Sequence, residues 1–325
     1  MKKMLKYFKY IFKMGTEEIP NYIVCRRILN KWKNDNLTIY IVCPFGIGDT
    51  LFIASLIRAY KEHFGIARVI LIVKNSQADL PDFFESIDGK IVSNKLVNRF
   101  MRYSRTWRRF KEENYQYGHF ILDNAWPEPG QLLGIGNVNL IDIYKRCVLK
   151  IPLNTKLEFP KISVGITRMK ELEKKYDKNE KVVLLMPYAV TLERLPMEFW
   201  EMMVQYYRKM SYRVYTNVKD ETEIVIKGSE SVCLSLKELF VVCDTFGWNC
   251  IALRSGICDL LGYSSSRLVT IHNNEDVKTA WNMCNLQLPN PNMVDLCWDQ
   301  KKTVVDNFEM IIKKINFDYK EEKCK

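Results

Sequence analysis

The chain has 325 residues, enough for two domains of ordinary size that each bury a core. Its 47% apolar and 12% aromatic content is that of a globular protein, and no apolar run reaches the roughly 20 residues of a membrane span. The formal net charge is +11, and nine basic residues against Glu17 and Glu18 in the segment ending at Lys33 supply most of it.

In chain order, Lys2, Lys6, Lys9 and Lys13 share one helical face, and Met4, Leu5, Phe8, Ile11 and Phe12 share the opposite one. Two readings fit: a basic amphipathic helix lying on an anionic membrane, or a helix packing inward. A signal peptide is excluded, because there is no unbroken apolar core and no small-residue cleavage site. Leu37 to Cys43 then reads as a buried strand, Pro44 to Thr50 as a glycine turn, and Leu51 to Tyr60 as a helix. Val69 to Val73 and His119 to Asp123 read as further strands, and Leu140 to Leu149 continues the alternation. Lys150 to Gly165, with Pro152 and Pro160, is the linker candidate. Beyond it, strands are expected at Lys181 to Leu185, Tyr212 to Tyr215, Cys250 to Leu253 and Leu268 to Ile271. Helices are expected at Glu198 to Met210, Leu236 to Cys243 and Val304 to Ile315. The expected architecture is α/β: two Rossmann-like domains facing a central cleft, with an N-terminal segment at 1–35, a first domain at 36–160 and a second at 161–325.

Ten cysteines form no C-x-x-C pair, and only His63, His119 and His272 accompany them, so no zinc spacing exists. Cysteines inside apolar elements point to a reducing, cytosolic compartment.

Gly46-Ile47-Gly48-Asp49-Thr50-Leu51 places amides and one carboxylate at a strand's carboxyl end, where open α/β sheets bind ligands. Neither G-x-G-x-x-G nor G-x-x-x-x-G-K-[ST] is present, since Leu51 stands where a third glycine belongs. The motif resembles the N-terminal signature of the heptosyltransferase-like glycosyltransferases, the family-9 transferases with the GT-B fold. Asp49 fits two roles, a helix N-terminal cap or a functional carboxylate. In the second half, Pro187 to Pro196 followed by Phe199-Trp200 resembles that family's P-G-A-x…K-R-W-P segment. Thr191 and Arg194 match its hydroxyl and basic positions, and Tyr188 replaces a glycine. Arg254-Ser255-Gly256 through Asp259 resembles D-[ST]-G-x-x-H-x-A, with arginine for aspartate and Asp259 for histidine. An arginine before Ser-Gly is also similar to the R-S-D turn of core α1,6 and nodulation fucosyltransferases. A structural pairing of Arg254 with Asp259 is the alternative there.

The resemblance implies an inverting transferase that moves a sugar from a nucleotide-diphospho-sugar to a glycan or glycolipid in bacterial surface polysaccharide synthesis. Asp49 is then the general base, with Gly46 and Gly48 in the acceptor-side loop. Thr191, Arg194, Arg254, Ser255, Gly256 and Asp259 hold the donor diphosphate. No cofactor or metal is implied, and no D-x-D carboxylate pair is present. The implied location is cytoplasmic, peripheral on the inner membrane face. A catalytically inactive GT-B domain is the alternative. An oxidoreductase would need an acidic ribose partner where Lys74 and Asn75 stand. Arg99, Arg102, Arg105, Arg108, Arg109 and Lys111 with Tyr103 and Trp107 suggest nucleic acid, yet suit an anionic glycan or a solvated face equally, and no nucleic-acid partner is expected.

Overall fold

The computed structural model describes residues 12–33, 38–106, 120–122, 139–190, 192–273, 282–286 and 288–322. The chain divides into two compact units, whose main boundary falls between Pro160 and Lys161.

The first unit is built on a four-stranded parallel sheet of order β3-β2-β1-β4. Its strands are β1 (Thr38–Val42), β2 (Arg68–Val73), β3 (Gly89–Val92) and β4 (Phe120–Leu122). β1 pairs on both sides, Tyr40 with Ile70 and with Phe120, which is why its composition is almost wholly apolar. Helix α1 (Ile19–Lys33) precedes β1, and α2 (Ile47–Phe64) follows it. α2 is more than amphipathic. Leu51 through Ile57 are all buried, because the helix is covered on several faces, and it ends at Gly65 with φ +65, a left-handed cap.

The N-terminal half of the basic stretch forms helix α3 (Asn94–Thr106). α1 and α3 pack together over the sheet through Cys25, Trp32, Val42, Ile72, Val97, Phe100 and Tyr103. Trp32 stacks on Tyr40 at 4.3 Å and on Phe100 at 5.4 Å. Arg102 pairs with Glu17 at 3.2 Å, and Asn21 donates to the Arg99 carbonyl. The lysine-bearing segment before residue 12 and the run Trp107 to Lys111 lie outside the described residues. Residues 19–33, by contrast, belong to the first core. A short helix α4 (Leu140–Ile143) leads into a wider turn, Tyr144–Leu149.

The second unit holds a six-stranded parallel sheet of order β10-β9-β8-β5-β6-β7. Its strands are β5 (Val182–Met186), β6 (Arg213–Asn217), β7 (Glu230–Val232), β8 (Asn249–Leu253), β9 (Leu268–His272) and β10 (Met293–Cys297). Helices α5 (Ile166–Lys175), α6 (Met197–Lys209), α7 (Leu236–Phe246), α8 (Gly256–Leu261) and α9 (Val304–Glu322) connect and cover it. Phe199, Trp200 and Met203 of α6 and Ile311, Ile312 and Ile315 of α9 close the core over Val183, Leu185, Ile251 and Val269. Among the described residues, no helix is long and apolar enough to cross a membrane. Cys43, Cys147, Cys243, Cys250 and Cys258 are buried free thiols, as is Cys25.

Trp32→Ala removes the ring that joins α1 to the sheet. A loss of about 3–5 kcal/mol is expected in urea unfolding of the full chain. A loss below about 1 kcal/mol would show that α1 is not part of the core.

Candidate functional site

Each sheet reverses direction from its first strand: strand order runs 3-2-1-4 in the first unit and 3-2-1-4-5-6 in the second when strands are counted within the unit. The reversal falls between β1 and β4, and between β5 and β8. Ligands of open α/β sheets sit outside the strand carboxyl ends at such points. The sequence-predicted segments are the turns that follow β1, β5 and β8.

After β1, the Cys43 amide continues the ladder to the Ile72 carbonyl, and the chain then leaves the sheet. Gly46 caps α2, and the Asp49 Oδ2 accepts the Gly46 amide at 2.9 Å, one half of a capping box. A side chain at residue 46 would crowd that oxygen, since an added Cβ would lie 3.2 Å from it. The other carboxylate oxygen accepts the Tyr144 hydroxyl at 2.6 Å. Gln77, buried, donates to the Phe45 and Gly46 carbonyls at 2.5 and 2.9 Å and accepts from the Lys74 amide. The loop is therefore pinned from β2's side, and the half-buried carboxylate is held by one donor on each oxygen. A carboxylate has about four acceptor positions, so the capped group keeps capacity for a hydroxyl. Gly48 is buried in the first turn of α2.

After β5, Arg194 is exposed and lies 5.0 Å from the centroid of the Tyr188 ring. Tyr188 is anchored by its hydroxyl to the Ile224 carbonyl at 2.5 Å. Burial pushes the Tyr188 phenol up, and the Arg194 cation partly opposes that. The aromatic ring that replaces a glycine thus acts as a platform for the guanidinium. The Asn273 side chain holds this loop through the Glu193 carbonyl and is itself followed by Gln300, which donates to the Asn273 carbonyl at 2.9 Å. Thr191 lies outside the described residues.

After β8, Arg254 and Asp259 meet across the turn. The guanidinium donates to Asp259 Oδ1 at 2.5 Å, to Oδ2 at 3.1 Å and to the Ser255 carbonyl at 2.6 Å. Both side chains are almost fully buried. Burial works against the guanidinium's charge, but Asp259, with Cys258 and Asp295, outweighs it and the pKa is raised. The Cys258 thiol beside them is pushed up to about 11 by burial, with Arg254 pulling the other way. Ser255 and Gly256, half-buried, open the short helix α8. The pairing read as the alternative from sequence is the geometry present. Arg254 therefore reaches this edge as half of a neutral pair, and Arg194 as an exposed cation. Tyr144, Gln77 and Asn273 carried no sequence signal, because each acts across tens of residues of chain.

No protein-family model matches the chain, and no curated protein matches it in sequence. Solved structures do match it. The ADP-heptose LPS heptosyltransferase II of E. coli superposes with a TM-score of 0.60 at 10% identity, over 87% of this chain and 99% of that one. The fold is that of the GT-B glycosyltransferases. A family-9 glycosyl transferase from Veillonella parvula gives 0.59 at 11% identity, over 86% and 96% of the two chains. The E. coli heptosyltransferase WaaC with ADP gives 0.52 at 12%, over 85% and 99%. The resemblance carried by the three turns is thus borne out at the level of the GT-B fold.

Removing one partner of the Arg254–Asp259 pair leaves a buried uncompensated charge. Asp259→Ala should cost about 3–5 kcal/mol in chemical denaturation. The double replacement Arg254→Met with Asp259→Leu should recover much of that loss, and a double variant as unstable as the single one would show that the charges themselves are not at issue.

Proposed function

We propose that this chain is a glycosyltransferase that moves a sugar from a nucleotide-diphospho-sugar to a hydroxyl of a glycan or glycolipid. The observation that carries the reading is Asp49: a carboxylate at the carboxyl end of β1, oriented by Gly46 and Tyr144, in a chain with the GT-B fold. In the proposed reaction the acceptor oxygen attacks the anomeric carbon while Asp49 takes its proton. The bond from that carbon to the donor phosphate breaks, and the nucleoside diphosphate leaves with the bonding electrons. One displacement inverts the anomeric centre.

The second unit's share of the work is to hold the leaving group. Arg194 offers charge, Thr191 a hydroxyl, and the amides at Ser255 and Gly256 offer donors at the start of a helix, with the Arg254–Asp259 pair fixing that turn. Such a set balances a leaving diphosphate with protein groups, which is the metal-independent mode that the sequence resemblance implies. A structural neighbour, WaaC, is described with ADP, in line with a nucleotide-linked donor. The acceptor is assigned to bacterial surface polysaccharide synthesis, at the cytoplasmic side of the membrane. Phe12, the last apolar position of the amphipathic pattern in the sequence, is exposed at 72%. A second reading, a GT-B domain that binds without catalysing, is favoured by the neutralised Arg254 at the donor turn.

Asp49→Asn preserves size and the capping acceptor but removes the base. Transfer or donor hydrolysis, assayed across a panel of nucleotide-sugars, should fall about 100-fold or more while donor affinity stays within a few-fold. Near-normal turnover would assign Asp49 to capping alone, and a wild-type chain that binds donors without turning any over would favour the binding-only reading.

Residues 1–14 should attach the enzyme to anionic vesicles, each lysine near the surface contributing up to about 1 kcal/mol, and high salt should release much of it. Flotation of full-length and truncated protein on vesicles of phosphatidylglycerol and phosphatidylethanolamine checks this. Equal flotation of both would mean that the segment packs inward.

A further inference from the structure

A polar cluster at the carboxyl ends of β9 and β10 has no part in the chemistry above. Parallel register sets Thr270 beside Asp295 and His272 beside Cys297. Side chains alternate along a strand, so Thr270, His272 and Asp295 occupy the face opposite Val269, Ile271 and Leu296, which fill the core. Thr270 donates its hydroxyl to Asp295 Oδ1, and the Met283 amide donates to Oδ2 at 2.8 Å. His272 Nε2 stands 2.6 Å from Asp295 Oδ1, at ion-pair distance though off the line of a hydrogen bond. The ring is buried, with 5% of the residue exposed, and among the described residues its Nδ1 has no hydrogen-bond partner.

A buried ring nitrogen without a partner is a free-energy cost that folded proteins seldom leave standing. Here it stands at the ligand-binding edge of the sheet. β8 and β9 pair Leu253 with Ile271, and the Arg254 amide donates to the Ile271 carbonyl, so His272 is the register neighbour of Arg254. Arg254 is already neutralised by Asp259. Beside the Ser255–Gly256 turn, the register neighbour of Arg254 thus carries an imidazole whose Nδ1 has no partner among the described residues.

We propose that His272, oriented by Asp295, is a ligand of the phosphate groups of a bound nucleoside diphosphate, donating from Nδ1. This rests on the nucleotide-donor reading above. In the complex Nδ1–H faces a phosphate oxygen, and Nε2 stays beside the Asp295 carboxylate. Asp295 is a positioning residue, because it acts through the ring.

The test uses the full chain and the free nucleotides ADP, GDP, UDP and CDP in calorimetry. The nucleotide that binds the wild type should lose about ten- to a hundred-fold in affinity in His272→Gln, the range for a hydrogen bond to a charged group. Wild-type affinity in that variant overturns the assignment and leaves the donor reading intact. Failure of all four nucleotides to bind the wild type overturns both. A second measurement does not depend on the variant folding. The chain has three histidines, so 15N-histidine labelling gives three imidazole signal sets, and His63→Gln and His119→Gln assign two of them. The third should move on nucleotide addition. A third set that stays in place while calorimetry records binding overturns the proposal.

Discussion

Parallel pairing is the constraint on which the rest of this molecule depends. Every strand of both sheets runs the same way as its neighbours, so every connection must cross a face and every strand-to-helix turn falls on one edge. Each sheet also reverses its order beside its first strand, which opens a gap between the turns that leave in opposite directions. The glycine turn follows the first strand of one unit, and the Arg194 and Arg254 turns follow the two strands that flank the reversal in the other. Residues scattered along more than 200 positions thus become edge residues for a topological reason, before any side chain is considered.

Asp49 shows how such an edge resolves the conflict between folding and chemistry. Its capping bond satisfies an amide that the first turn of α2 would otherwise leave unpaired. A loose carboxylate could do the same, but the Tyr144 hydroxyl on the second oxygen fixes the plane of the group. Gln77 fixes the loop that carries it. The cap and the proposed base are therefore not rival roles. Capping uses one oxygen's lone pair and sets the orientation in which the remaining ones are offered.

The legible part of the sequence was the part where one strand or helix decides its own fate. β1, β5, β8 and β9 are apolar runs buried on both faces, and α2 follows its glycines directly. β3, β7 and β10 were missed because Lys90, Glu230 and Asp295 break any apolar run, and each is an edge strand, β3 and β7 being short as well. α5 was missed because Leu172 is its one buried side chain, so its composition is that of a solvated segment. Within the site, Asp49 and the Arg254–Asp259 pair were readable from local spacing. Tyr144 was not, since it reaches Asp49 over 95 positions of chain. Nor was the His272–Asp295 contact, which only the register of β9 on β10 creates.

Arg194 and Arg254 separate two demands that the proposed diphosphate site would make. A buried cation pays a desolvation penalty that only a close counter-ion offsets, so Arg254 is tied to Asp259 and serves geometry: it joins the end of β8 to the helix that follows. An exposed cation keeps its hydration, and it needs a platform rather than a counter-ion, which Tyr188 supplies to Arg194. The first arrangement is rigid and electrically quiet; the second is charged and free to close on an anion. An edge with one of each can hold its shape while empty without binding the proposed product diphosphate by charge alone. That division explains why an arginine can stand before Ser-Gly, where the resembling family places an acid, provided that an acid stands at Asp259 to receive it.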